Sequence, residues 1–212
     1  MKIVVADISH IRFAKAICET IEASATQRGT GIARRTEEYI ITKLENNNAV
    51  VAFKGDKLAG FCYIERWDHG KYVAHSGLIV HPDFRNLGLA KKIKKKIFDY
   101  SLKKFPEAKI FGITTGLAVM KINSDLGYKP VTFSELTDDA NFWAGCETCT
   151  NYEILKLKEH KMCLCTGMLH NPNRMEKLEF EGDQNHNHPY NKKVWTRLKN
   201  IKQALFLKNK KK

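Results

Sequence analysis

Apolar positions along this chain first alternate and then recur at helical spacing, in an order that sketches one α/β domain. Residues 2–8 (KIVVADI) are rich in β-branched side chains and read as an opening strand. Ser9 is a candidate cap for the next segment, where Ile11, Ala14, Ile17, Cys18 and Ile21 recur at helix spacing. Gln27-Arg28-Gly29-Thr30-Gly31 breaks that helix. A second is predicted from Thr36 to about Asn46, with Glu37 and Glu38 in the first turn, where the helix dipole favours acids. Residues 49–53 and 58–66 read as strands joined across Lys54-Gly55-Asp56-Lys57. A turn at 68–71 leads into a strand over 72–81, which Pro82 stops because proline cannot donate to a ladder.

A helix follows over 89–104. Leu89, Ile93, Ile97 and Tyr100 share one face, and Lys91, Lys92, Lys94, Lys95 and Lys96 are assigned to the other. Strand 109–115, a short helix to Leu126, a stop at Gly127 and strand 129–133 form a strand-helix-strand unit. Such a unit predicts that its two strands pair in parallel through a right-handed crossover. Beyond residue 134 the pattern predicts a helix over 138–143 and a strand over 162–169. The fold class is therefore α/β (α+β), a mixed and mostly antiparallel sheet with flanking helices. Residues 1–170 are expected to form the main domain. Residues 171–212 read as a polar connector and a basic tail, whose amphipathic C-terminal helix is marked by Val194, Leu198, Ile201 and Leu205.

Charge changes this picture little. Nine Lys or Arg and no acid lie in 191–212, which leaves only +4 of the formal +13 for the rest. A solvated basic end accounts for the excess, so nucleic acid is not an expected partner. No apolar run approaches the ~20 residues of a membrane span, and the first ten residues lack a signal-peptide core. The expected location is the cytoplasm. There, the four clustered cysteines Cys146, Cys149, Cys163 and Cys165 are thiols or metal ligands rather than disulfides. A tetrahedral zinc site, buried thiols and a redox role are the readings they allow.

The segment Arg85-Asn86-Leu87-Gly88-Leu89-Ala90 stands where a strand turns into a helix. Unpaired N–H groups converge at such a point and the helix dipole adds positive potential, so an anion suits it. Gly88 permits close approach to the backbone, small Ala90 keeps the first helical turn clear, and Arg85 adds charge. With the His-Pro before it and the order of elements around it, this loop resembles the GNAT superfamily of N-acetyltransferases. There the signature is Gln or Arg, two variable residues, Gly, one variable residue, then Gly or Ala; Arg85, Gly88 and Ala90 fit. The resemblance covers about residues 2–135. It implies that the loop 85–90 takes the pyrophosphate of an acyl-CoA such as acetyl-CoA, and that the backbone of Leu78, Ile79 and Val80 pairs with the pantetheine arm. An N–H near Val80 would polarise the thioester carbonyl.

The family's usual acid, a tyrosine on the short helix, falls on Asn123 here. Asn donates a hydrogen bond but cannot give up a proton, so Asn123 is kept as a cofactor contact and the acid is left open. For the base, His75 has a suitable intrinsic pKa and Glu65 could act through water. The arginine-rich phrase from Arg28 to Arg35, with the hydroxyl of Thr30, suits a carboxylate held by Arg28, Arg34 and Arg35. Together with the two cysteine pairs, it resembles stand-alone GNAT proteins that acylate the α-amine of glutamate for arginine biosynthesis. The expected partners are acyl-CoA and a small amine, with no membrane; a homodimer is left open. A peptide amine acceptor, or a non-catalytic acyl-CoA-binding module, is the alternative.

Overall fold

The computed structural model describes residues 1–28 and 33–173. Its seven strands are β1 (Lys2–Val5), β2 (Ala49–Lys54), β3 (Lys57–Trp67), β4 (Tyr72–Val80), β5 (Lys109–Thr114), β6 (Lys129–Val131) and β7 (Thr166–His170). They form one sheet in the order β1-β2-β3-β4-β5-β7-β6. Every neighbouring pair is antiparallel except β4–β5. The helices are α1 (Ala14–Arg28), α2 (Glu37–Glu45), α3 (Leu89–Lys104), α4 (Leu117–Asp125), α5 (Ala140–Ala144) and α6 (Tyr152–Leu157).

Side chains alternate across the sheet because the strand period is two. Val50, Cys62 and Ile64 therefore pack under α3 with Ile93 and Ile97. Their neighbours Val51, Phe61 and Tyr63 pack on the other face with Ile17, Ile21 and Ile40 from α1 and α2. A third cluster joins Phe111 and Leu169 to Phe142 and Trp143 of α5 and Leu155 of α6.

Several expectations are corrected. β5 and β6 do not pair; β7 lies between them, antiparallel to both. The apolar Thr-Gly-Met-Leu-His stretch is buried over four of its five residues, whereas Lys-Pro-Val of β6 is largely exposed and its Pro130 lacks a donor. The more apolar strand takes the inner slot. Ser9 does not cap α1. Asp7 caps a 3₁₀ turn over Ile8–Phe13 by accepting from the Ser9 N–H, and α1 starts after it. Lys94 is not on the outer face of α3: it is 2 % exposed. The expected C-terminal helix and connector lie outside the described residues, apart from Asn171 to Asn173.

The β4–β5 pairing ends early. Tyr72, Val73 and Ala74 pair with Lys109, Ile110 and Phe111, and beyond them the two strands part. β4 turns away at a bulge, where the β3–β4 register shifts between Phe61 and Tyr63 and Gly77 takes φ +62°. A Cβ at Gly77 would meet the Tyr63 ring at 2.5 Å, so only glycine closes this bulge without moving Tyr63.

Candidate active site

A cavity of about 750 Å³ passes through the opening between β4 and β5. On the α1–α2 face of the sheet it is lined by Arg34, Arg35, Tyr39, Tyr63 and Glu65. On the α3 face it reaches His75 and Lys94, and Asn123 of α4 borders it as well. The alternation of β3 and β4 produces this division. Tyr63 and Glu65 point one way, while Ile64 and its partner His75 point the other.

Charges on the first side are all engaged. The Tyr39 hydroxyl donates to Glu65 Oε1, and Lys43 Nζ sits 3.3 Å from the same oxygen. The Tyr39 phenol is pushed far up by burial, then by Tyr63 and Glu65, so it stays a hydrogen-bond donor. Arg35 Nε donates to the Tyr63 hydroxyl at 2.8 Å, and its guanidinium lies over the Tyr39 ring at 5.3 Å. That fixes Arg35 at the cavity wall with N–H groups to spare. Arg34 differs: its side chain is 76 % exposed and pairs with Glu22 at 3.6 Å. The Arg28 side chain and Thr30 lie outside the described residues.

On the α3 side the polar groups form a buried row. His75 Nδ1 meets the Tyr128 hydroxyl at 2.9 Å, and its Nε2 meets Ser101 Oγ at 2.9 Å. Burial, and secondarily Lys94, hold the His75 pKa well below its ordinary value, so the ring is neutral. Both ring nitrogens are occupied, which suits a positioning role better than the base role expected of it. Glu65 places its carboxylate at the cavity wall. The two candidates stand on opposite faces of the sheet.

The loop over residues 85–90 is a left-handed turn into α3. Asn86 has φ +62° and Gly88, the N-cap, φ +68°. Nothing lies within 4 Å of a Cβ built at Gly88, so the space beside the start of α3 is open. Arg85 Nε donates to the Val80 carbonyl at 3.3 Å, tying the loop to the end of β4. The cavity itself reaches Leu78 but not residues 85–90. His81 N bonds Ala59 O, which makes 59/81 a bonded pair in the ladder. Val80, opposite Gly60, is then at a non-bonded position, and its N–H turns away from β3 toward the opening. Ile79 sends its side chain into the core under α1 and α2.

Cys146, Cys149, Cys163 and Cys165 meet at one wall of the cavity. Burial and the neighbouring thiols push Cys146 up to about 11 and Cys165 up to about 12, so they are neutral. Cys163 and Cys165 precede β7. Among the described residues no group of three or more His, Cys, Asp or Glu is arranged to hold a metal ion, and the zinc reading has no support there.

Residues 20–116 match the model of the acetyltransferase (GNAT) family. Over those residues the chain is similar to GNAT acetyltransferases. Solved structures share its fold. An N-acetylglutamate synthase from Neisseria gonorrhoeae, complexed with coenzyme A and N-acetyl-glutamate, is 14 % identical with a TM-score of 0.57, over 80 % of this chain and 34 % of that one. The chain thus spans about a third of that synthase. A Mycobacterium tuberculosis protein in complex with CoA is 13 % identical with a TM-score of 0.58, over 81 % of this chain and 99 % of that one. Diaminobutyrate acetyltransferase from Paenibacillus lautus, in complex with L-2,4-diaminobutyric acid and coenzyme A, is 11 % identical with a TM-score of 0.54, over 81 % and 94 %. At these identities the likeness shows the fold. No curated protein matches the chain in sequence.

Sequence reasoning missed two features of the site. Tyr39 and Lys43, which engage Glu65, lie on α2 four residues apart and therefore share a face. Lys94 was hidden in the run Lys-Lys-Ile-Lys-Lys-Lys. Its helical neighbours Ala90, Ile97, Phe98 and Ser101 are small or apolar, a signal that marks it as facing inward.

Proposed function

We propose that this GNAT domain moves an acetyl or succinyl group from its CoA thioester to the α-amine of a small amino acid such as glutamate. The observation that carries this reading is Arg35, a guanidinium fixed at the cavity wall by Tyr63 and facing the same space as Glu65. A guanidinium with free N–H groups in a partly buried wall is suited to a carboxylate. An α-amino acid held by its carboxylate there has its amine within the cavity, on the Glu65 side of the opening. Two solved structures of the same fold were obtained with an amino acid or its acetylated form, which agrees with an acceptor of this size.

The thioester would enter along β4, its carbonyl toward the Val80 N–H and its pyrophosphate at the amides after Gly88. Glu65 would take the proton of the incoming ammonium, directly or through one water. Tyr39 and Lys43 hold that carboxylate in place.

An acceptor screen tests the reading. Acetyl-CoA and succinyl-CoA are each offered with glutamate, other amino acids and a lysine-containing peptide, and free thiol is measured. Glutamate-dependent thiol release with either donor is expected. Turnover of the peptide alone would overturn the amino-acid acceptor.

A further inference from the structure

Lys94 is the buried charge that the reading above leaves without a task. It rises from the second turn of α3 to the α3 side of the parted strands, where it lines the cavity. Among the described residues it makes no ion pair and no hydrogen bond. Its ammonium lies over the Tyr128 ring at 5.1 Å. The titratable groups that face it are Cys62 from β3, His75 from β4 and Tyr128 from the turn before β6. None of them is an acid that would neutralise it. Burial pushes the Cys62 thiol up to about 11, and Tyr128 lies well above its ordinary value. A lysine buried without a counter-charge is destabilising, so its presence calls for a use.

Acyl transfer on this domain lacks a proton donor at one step. Collapse of the tetrahedral intermediate expels a thiolate, which must be protonated. Asn123, at the edge of the same opening and 1 % exposed, has no proton to give, and its Oδ1 has no partner. His75 is neutral with both ring nitrogens engaged. Glu65 stands on the other face. We infer that Lys94, unpaired beneath the opening between β4 and β5, is the catalytic acid that protonates the departing thiolate.

The step balances as follows. The neutral acceptor amine attacks the thioester carbonyl carbon and forms the C–N bond. The C–S bond then breaks and its electron pair leaves on sulfur. Lys94 Nζ gives a proton to that sulfur, which yields free thiol and a neutral lysine. The surplus proton of the new amide nitrogen leaves on the Glu65 side, and Lys94 recovers its own from solvent. Burial lowers Lys94 from 10.5 to about 8, close to the ~8.5 of a free thiol. Acid and leaving group are thus matched near neutral pH.

This inference rests on the acyl-transfer reading, and its test separates the two. Bound CoA is titrated by the ultraviolet absorbance of its thiolate, as the difference between complex and free enzyme. In the wild-type complex the thiol should ionise below the ~8.5 of free CoA, because the Lys94 ammonium faces the sulfur. In Lys94→Met it should ionise at or above that value. A wild-type protein that binds no CoA would overturn acyl transfer and the inference with it; one that binds CoA with an unshifted thiol overturns only the inference. In turnover, Lys94→Met should lose about 10²–10⁴-fold in kcat with KM for acetyl-CoA nearly unchanged. Most of that loss should vanish with an activated aryl thioester, S-acetyl thionitrobenzoate, whose thiolate leaves without a proton. Lys94→Arg keeps a charge of too high a pKa and should behave like Met. Equal losses with both thioesters, or none with either, would return Lys94 to the core.

Discussion

On the α1–α2 face of the sheet, Glu65 is met by Tyr39 and Lys43 and Arg35 by Tyr63, so each charge has a partner. On the α3 face, Lys94 has only an aromatic ring among the described residues and His75 has been made neutral. The first arrangement is that of a binding wall, where charges are fixed in place before a ligand arrives. The second leaves a charge unsatisfied until something enters the opening. One sheet supports both because β3 and β4 send successive side chains to opposite faces while the parted β4 and β5 leave an opening between the two.

The largest effect is expected in the loop over residues 85–90. Gly88→Glu places bulk and negative charge before the amides of α3, at a backbone φ of +68°. CoA binding should become undetectable by calorimetry, while the strain of a side chain there lowers stability by only ~1–2 kcal/mol. Retained CoA affinity would remove the loop from the site. Next in size is Glu65→Gln on the engaged face. It keeps the shape and one acceptor oxygen but loses the base, so kcat should fall ~10²–10⁴-fold with KM for acetyl-CoA unchanged. An unaltered kcat would leave the base to water alone.

The two arginines offer a smaller and more graded test. Arg35→Ala should raise KM for the amino-acid acceptor roughly ten- to a hundredfold, the range of a charge-assisted hydrogen bond of ~1.5–3 kcal/mol, without moving KM for acyl-CoA. Arg34→Ala removes an exposed pair with Glu22, an interaction of ~0–1 kcal/mol, and should change the same KM a few-fold at most. Equal effects of the two would contradict the division between wall and surface.

The smallest effects concern stability against pH. The His75 pKa is depressed on folding, so its contribution is present above about pH 6.5 and is lost as pH falls below it. Lys94 is depressed from 10.5 to about 8, so its destabilisation is fully present below about pH 8 and is relieved as pH rises toward 10.5. Thermal unfolding followed from pH 5 to 10.5 should show both slopes. Lys94→Met should flatten the alkaline one alone and leave the acidic one standing.

Much of this was legible in the chain because it is local. The alternation of β2, β3 and β4, the helix 89–104 and the Arg85-to-Ala90 loop each depend on neighbours a few residues apart. The place of β7 does not. Whether Thr166–His170 pairs with β5 or lies outside β6 is settled by competition for a buried slot, which no window of sequence contains. Lys94 is obscured differently: helical spacing of the apolar residues does not set one lysine among lysines apart from its solvent-facing neighbours. The long arms of Tyr39 and Lys43 reach Glu65 across 26 and 22 positions, and composition carries no trace of that.

The insertion of β7 also bears on how the molecule is assembled during synthesis. When the ribosome has released β5 and β6, β5 can pair with β4 but lacks its second neighbour, β6 has none, and the outer edge of β5 is an unpaired row of amides and carbonyls beside buried Phe111. Only the emergence of Thr166–His170, after the four cysteines have passed, closes both ladders at once. The late arrival of a central strand gives this half of the sheet its long-range contacts and a slow final step. Until then the exposed edge is the point at which a nascent chain is most open to capture by a chaperone or by another copy of itself.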